Sequence, residues 1–196
     1  IYKIVVCSLL TLSITSCEKD LLEKEQYQKE IYLIGAYNRV WTTEVSYSDE
    51  EVKTYFTVSS SGTLALDQDV NVKMKINEEL VDIYNKKYWT VLNEDKYYKS
   101  LDTDLYSIPS LENTVIKHAE GISAEVPVLI KTASLKIDQS YVIPVEIEST
   151  TVYPISASGR KMLVLLKLKN DYSGSYQMNG HTTLEGETPK TIQKPK

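Results

Sequence analysis

Few side chains in this chain of 196 residues could do covalent chemistry, and their spacing argues against most reactions. His118 and His181 are the only histidines. Neither has the partner spacing of a metal site or a nucleophilic triad, so a solvated or structural role is expected for both. No His-Glu-x-x-His, Gly-x-Ser-x-Gly, phosphate-loop or dinucleotide motif occurs, nor the Asp-x-x-Asp-x-Asp-x-Glu run of a chitinase-like module. Asp67, Asp69, Asn71 and Glu78 fall at positions 1, 3, 5 and 12 of an EF-hand-like loop. Position 6, however, is Val72 rather than Gly, and residues 70 to 76 alternate as a strand, which cannot curl around an ion. Asp49-Glu50-Glu51 reads as a solvated turn. The residues therefore predict no catalytic centre, no metal site and no cofactor.

Binding chemistry is better represented. The chain has 15 Tyr against one Phe and two Trp, a bias that suits half-buried strand positions or surfaces that grip a polar partner. Sugar rings present apolar C–H faces that stack on such side chains. Tyr88, Trp89, Tyr97 and Tyr98 bracket the loop from Thr90 to Lys96, where at least one large ring is hard to bury. Three readings of these four residues stay open: they close the end of the domain over a helix, they form a glycan platform, or they contact a second domain. Trp41, beside Val40, and Tyr84 are expected in the core.

The elements that must position these rings follow from periodicity. Val52, Thr54, Phe56 and Val58 alternate with Lys53, Tyr55 and Thr57, and Val70, Val72, Met74 and Ile76 alternate with Asn71, Lys73 and Lys75. This period of two predicts half-buried strands. More strands are expected at Thr114 to Lys117, Glu125 to Lys131, Tyr141 to Glu148 and Lys161 to Lys169, with one or two between Ile31 and Ser48. Met162 to Leu166 is apolar on both faces, which predicts a central strand. Pro127 and Pro144 cannot donate to a ladder and should lie on an edge or at a bulge. Asn77 to Lys87 breaks the pattern: a capping residue, two acids, apolar side chains at Leu80, Ile83 and Tyr84, and two closing lysines predict a short helix. With turns at Ser61-Gly62 and Glu120-Gly121, the fold class is mainly β, an immunoglobulin-like antiparallel β-sandwich of about seven strands with one short helical crossover.

The N-terminal stretch bears on compartment. Lys3 precedes an apolar run from Ile4 to Leu12, too short for the ~20 residues of a bilayer-spanning helix but suited to a secretory signal. The following Ile14-Thr15-Ser16-Cys17 resembles the lipobox of bacterial lipoprotein signal peptides, which implies cleavage before Cys17 and lipidation of its thiol. Residues 1 to 16 would be the signal and 17 to 30 the lipidated Cys with a flexible tether. The 13 residues from Glu18 to Glu30 could reach about 45 Å when extended. Glu18 and Asp20 resemble an acidic export signal of Bacteroidetes lipoproteins, which implies an outer-membrane protein facing the exterior; a merely solvated linker is the alternative. Removing residues 1 to 16 takes away Lys3 alone, leaving 21 basic and 27 acidic residues, a net charge of -6 against -5 for the whole chain. That balance argues against nucleic acid as a partner. The signal carries off Cys7 and the lipid occupies Cys17, so an exported domain would fold without disulfides.

A family resemblance rests on the order of motifs: Leu80-Val-Asp-Ile-Tyr-Asn-Lys86, Tyr97-Tyr98, Tyr106-Ser-Ile-Pro109, a turn at Gly121, Val126-Pro-Val128, and Tyr141-Val-Ile-Pro-Val-Glu-Ile147. This order resembles a Bacteroidetes surface-lipoprotein family with an immunoglobulin-like N-terminal domain. That domain precedes some endo-β-N-acetylglucosaminidase modules and occurs in glycan-binding proteins of SusC/SusD-type polysaccharide uptake systems. The likeness covers residues 31 to 169. Tyr172 to Gly180 resembles the opening of a second domain, so 170 to 196 is expected to be the start of a truncated one. The Ile at position 1 and the ending Pro195-Lys196 fit a chain incomplete at both ends. One departure is Tyr88-Trp89-Thr90, bulkier than the family's Gly/Asn-rich turn.

The resemblance implies a non-catalytic, cell-surface, glycan-binding domain. Its partners would be the membrane through lipid, an oligosaccharide and SusC/SusD-type proteins. Two alternatives remain: a spacer before a glycoside hydrolase module, or a fimbrial subunit that donates an edge strand.

Overall fold

The computed structural model describes residues 24–170 and the backbone of 179–182 and 190–193. Alternating strands bury one face each, and two sheets close over the apolar side chains. The first sheet has the order β1 (Ile31–Leu33), β3 (Glu51–Ser60), β8 (Ser123–Lys131), β6 (Tyr106–Ser107). The second has the order β2 (Val40–Ser46), β10 (Lys161–Lys169), β9 (Tyr141–Thr150), β4 (Val70–Ile76), β7 (Thr114–Ile116), with β5 (Lys99–Ser100) also on β9. β11 (Asn179–Thr182) pairs antiparallel with β12 (Lys190–Gln193). The result is the β-sandwich expected from the period-two pattern.

The core lies where the inward positions meet. Phe56, Val58, Val126, Val128 and Ile130 of the first sheet pack with Val72, Met74, Ile143, Val145, Val164 and Leu166 of the second. Phe56 is 1% exposed, and burying such a side chain fully contributes about 1.5–3 kcal/mol. β10 does run centrally, between β2 and β9. It faces Met162, Val164 and Leu166 to the sandwich and Leu163 to a second apolar cluster outside it.

Two features depart from a wholly antiparallel sheet: β2 runs parallel to β10, and β5 parallel to β9. The chain leaves the first sheet after β1 and enters the second as β2 through a turn at Gly35, whose φ is +90°. A Cβ there would sit 2.7 Å from Cε3 of Trp41, so the turn needs glycine for backbone and for space alike. Trp41 is therefore not core. It is 38% exposed at the edge of the sandwich, lying over this turn.

The prolines find a solution the edge-or-bulge rule did not name. Pro144 sits inside β9, which has partners on both sides. On the side opposite β10, β4 has already ended at Ile76 and β5 pairs only with Tyr141 and Val142. The Asn77 N–H donates to the Pro144 carbonyl at 3.0 Å, so the proline nitrogen faces this same gap, where no strand requires an N–H. At Pro127, β8 is paired with β3, while β6 reaches only Leu129 and Ile130.

Part of the expected tether is fixed to the domain. The Glu30 N–H donates to the Ser61 hydroxyl at 2.9 Å, and the Ser61 N–H donates to the Glu30 carbonyl at 2.9 Å. The Glu25 carboxylate accepts the N–H groups of Thr63 and Leu64 and pairs with Lys29. The charged run from 25 to 30 follows the β3–β4 loop because these orphan backbone groups need partners.

Candidate functional site

Helix α1 (Glu79–Tyr88) fills the gap between β4 and β5 and lies on the outer face of the second sheet. Its start is set by Asn77, whose Oδ1 accepts the Glu79 N–H at 3.2 Å. The other end of that amide donates to Glu146 Oε2 at 2.6 Å. Glu146 is 5% exposed, in the midst of an apolar strand, and also forms ion pairs with Arg160 Nε at 3.1 Å and Lys161 Nζ at 3.8 Å. Burial works to raise its pKa, but the Asn77 hydrogen bond and the charges of Lys161, Arg160 and Lys75 outweigh it, so the carboxyl stays below the usual carboxylate range.

The helix turns Val81 and Asn85 inward and presents Leu80, Ile83, Tyr84, Lys87 and Tyr88 along one stripe at helical spacing. Opposite that stripe lie Arg39, at the start of β2, and Lys161, Met162 and Leu163 at the start of β10. Between them runs a shallow, open groove. The Tyr84 ring is stacked on Tyr98 at 5.2 Å and 10° and meets Tyr88 at 4.4 Å and 34°. Burial, with help from Tyr98 and Tyr88, pushes the Tyr84 hydroxyl up to about 12, so it remains a neutral hydrogen-bonding group. Asn85 fixes this stack: its amide donates to the Tyr98 carbonyl at 2.9 Å and accepts the Tyr98 N–H at 3.0 Å.

The structure divides the four candidate aromatics. Tyr88 is 48% exposed and lines the groove. Tyr98 braces Tyr84 from behind. Trp89 and Tyr97 do not line it. Trp89 is half-buried with Lys96 Nζ 5.6 Å from its ring, and its Nε1 is buried without a partner among the described residues. The Tyr97 carbonyl accepts a hydrogen bond from Gln139 Nε2 at 3.4 Å. The loop they bracket instead exposes Val91 and Leu92. Tyr84, expected in the core, is only half-buried and belongs to the groove. Ile83 is 55% exposed at its rim, not on the buried face.

Two groove residues, Arg39 and Lys161, and the neighbouring Glu146, which does not line the groove, escaped the sequence reading. Arg39 gives no local signal; it is the one non-glycine residue with positive φ among those described, at 63°. Lys161 reads as an ordinary strand end. Glu146 was visible as a lone acid between Val145 and Ile147.

The remaining candidates are engaged elsewhere. His118 Nδ1 lies 2.6 Å from Asp69 Oδ1, and that contact holds the Asp69 carboxyl below its usual range. Asp67 accepts the Tyr153 hydroxyl and pairs with Lys29. Asn71 lies on extended β4, and no cluster of three His, Cys, Asp or Glu suited to a metal occurs among the described residues. Cys17 and the side chain of His181 lie outside the described residues.

The motif order quoted above finds its counterpart in a family model for an N-terminal domain, which matches residues 27–154. The chain belongs to that family. It is the Bacteroidetes group, with an immunoglobulin-like N-terminal domain, that those motifs resemble. A model for a C-terminal domain matches residues 160–196, so the two models meet between β9 and β10, although β10 completes the second sheet.

No curated protein matches the sequence. Among solved structures, a Bacteroides ovatus multidomain protein including DUF1735 is 20% identical, with a TM-score of 0.59 over 80% of this chain and 51% of that one. A Bacteroides ovatus protein named for carbohydrate binding is 18% identical, with a TM-score of 0.53 over 78% of this chain and 40% of that one. EndoBT-3987 of Bacteroides thetaiotaomicron, with a Man5GlcNAc product, is 19% identical, with a TM-score of 0.51 over 70% of this chain and 30% of that one. The chain thus spans about half or less of each of these proteins.

Proposed function

We propose that this chain is the non-catalytic, glycan-binding part of a cell-surface lipoprotein serving a SusC/SusD-type polysaccharide uptake system. The observation that carries the reading is the groove beside α1, where Tyr88 and Tyr84 offer ring faces next to polar side chains. Stacking of sugar C–H faces on these rings, with hydrogen bonds from the rim, would hold a saccharide without breaking a bond. The naming of the Bacteroides ovatus protein of like fold for carbohydrate binding supports this reading.

Anchoring at Cys17 would place the groove outside the outer membrane. Each buried CH₂ of the lipid contributes about 0.8 kcal/mol, so several acyl chains make a lasting anchor. Weak sites crowded on one surface then gain avidity. Metabolic labelling with palmitate tests the anchor: label on the wild type and none on Cys17→Ser is expected, and an unlabelled wild type would refute it. Screening the full chain and Tyr88→Ala against host and plant glycans tests the binding. Loss of signal in the variant is expected, and no binding by the wild type would overturn the function.

A second reading, a spacer before a glycoside hydrolase module, is favoured by the likeness to EndoBT-3987. An acidic catalytic motif encoded beyond Lys196 would support it.

A further inference from the structure

The charge around the groove is opposite to that of the molecule as a whole. The chain carries a net charge of -5, yet three cationic side chains and no carboxylate line the groove among the described residues. Helix geometry explains part of this. Leu80, Ile83, Tyr84, Lys87 and Tyr88 share one stripe, while Asp82 falls on the opposite side of the helix and Glu79 flanks the stripe beside Ile83 without lining the groove. The Lys87 ammonium lies 5.3 Å from the centre of the Tyr88 ring. Neither Lys87 nor Arg39 has a carboxylate partner among the described residues, whereas Lys161 shares Glu146 with Arg160. Arg39 is exposed and held at the rim by a left-handed backbone, whose N–H donates to the Ala36 carbonyl at 2.8 Å. A non-glycine residue in that conformation carries strain that the surrounding turn must offset.

We propose that the groove takes an acidic saccharide, a pyranose chain bearing carboxylate groups, with the sugar face on Tyr88 and Tyr84 and the carboxylates met by Arg39 and Lys87. This rests on the glycan-binding reading and narrows it to a charge class. A neutral sugar would use the rings and leave two unpaired cations beside it. A uronate fills both requirements, because the planar guanidinium presents a fork of donors matched to a carboxylate. An acidic peptide would satisfy the cations but offers the two ring faces no comparable flat C–H surface.

The test is calorimetric titration of the full chain with oligogalacturonate, with its fully methyl-esterified form, and with a poly-glutamate peptide, each at low and moderate salt. Oligogalacturonate is expected to bind at least about tenfold more tightly than the ester, and moderate salt to weaken only the acid. Arg39→Gln and Lys87→Gln are each expected to weaken the acid several-fold and to weaken the ester by a smaller factor, so that the preference for the acid narrows. Both side chains are exposed, so neither substitution threatens the fold. Equal affinity for acid and ester, or for acid and poly-glutamate, overturns the proposal. So does insensitivity of the acid to both variants. Should neutral glycans bind in a Tyr88-dependent way while the acid does not, the charge class falls and the glycan-binding reading stands. Absence of binding to any glycan removes both.

Discussion

Replacing Glu146 by Gln removes one charge from beneath the helix while keeping the volume and an acceptor oxygen. In the native protein its side chain is 7% exposed and meets Arg160 Nε at 3.1 Å, Lys161 Nζ at 3.8 Å and Asn77 Nδ2 at 2.6 Å. A hydrogen bond to a charged group contributes about 1.5–3 kcal/mol, but the partner side chains Arg160 and Lys161 are 41% and 50% exposed, so solvent screens much of it. Gln retains the bond from Asn77. A loss of about 1–2 kcal/mol at neutral pH is expected. The pH dependence sharpens the test. The folded-state pKa of Glu146 lies below its ordinary value, so as pH falls the unfolded chain takes up this proton first. The contribution is therefore complete above the unfolded pKa and lost as pH falls through the folded one. Urea unfolding followed by tyrosine circular dichroism should show the gap between wild type and Glu146→Gln in full at pH 7 and progressively narrower as pH falls below the ordinary carboxylate range. A gap that stays constant across that range would refute the assignment of the stabilisation to an ionised carboxylate.

Asn85→Ala should cost about 2–3 kcal/mol, because Asn85 is 4% exposed and its loss leaves the N–H and C=O of Tyr98 unpaired; chemical denaturation reads the cost. Gly35→Ala should destabilise by at least about 1 kcal/mol through the positive φ and the 2.7 Å approach to Trp41, with a lowered melting temperature as the readout. Phe56→Ala should cost about 3–5 kcal/mol for the cavity it leaves in the core, again by denaturation. A loss below 1 kcal/mol there would contradict its place between the sheets.

The sheets were legible because burial on one face writes itself into every second residue. Val52 to Val58 and Val70 to Ile76 could be placed with no partner known, and Met162 to Leu166 declared a central strand by being apolar on both faces. β5 and β6, of two residues each, are too short to carry any period. The parallel course of β2 along β10 depends on where the chain crosses at Gly35, which alternation within a strand does not encode. The groove was legible only in part. Tyr88 announced itself as a ring too large to bury beside a polar loop. Trp89 carried the same signal and is packed away from the groove, because burial of a large ring depends on its neighbours in space. Arg39 and Lys161 join the groove from strands distant in sequence, so only the folded sheet brings them to the helix.

The most direct measurement of the central claim is titration of the full chain, Tyr88→Ala and Trp89→Ala with a glycan found to bind the wild type. Tyr88 lines the groove and Trp89 does not. Removing a stacking ring forfeits about 1–2 kcal/mol, so Tyr88→Ala should bind roughly 5- to 30-fold more weakly with its melting temperature held, while Trp89→Ala keeps wild-type affinity. Equal affinities for wild type and Tyr88→Ala, or a loss confined to Trp89→Ala, would contradict the groove as the site.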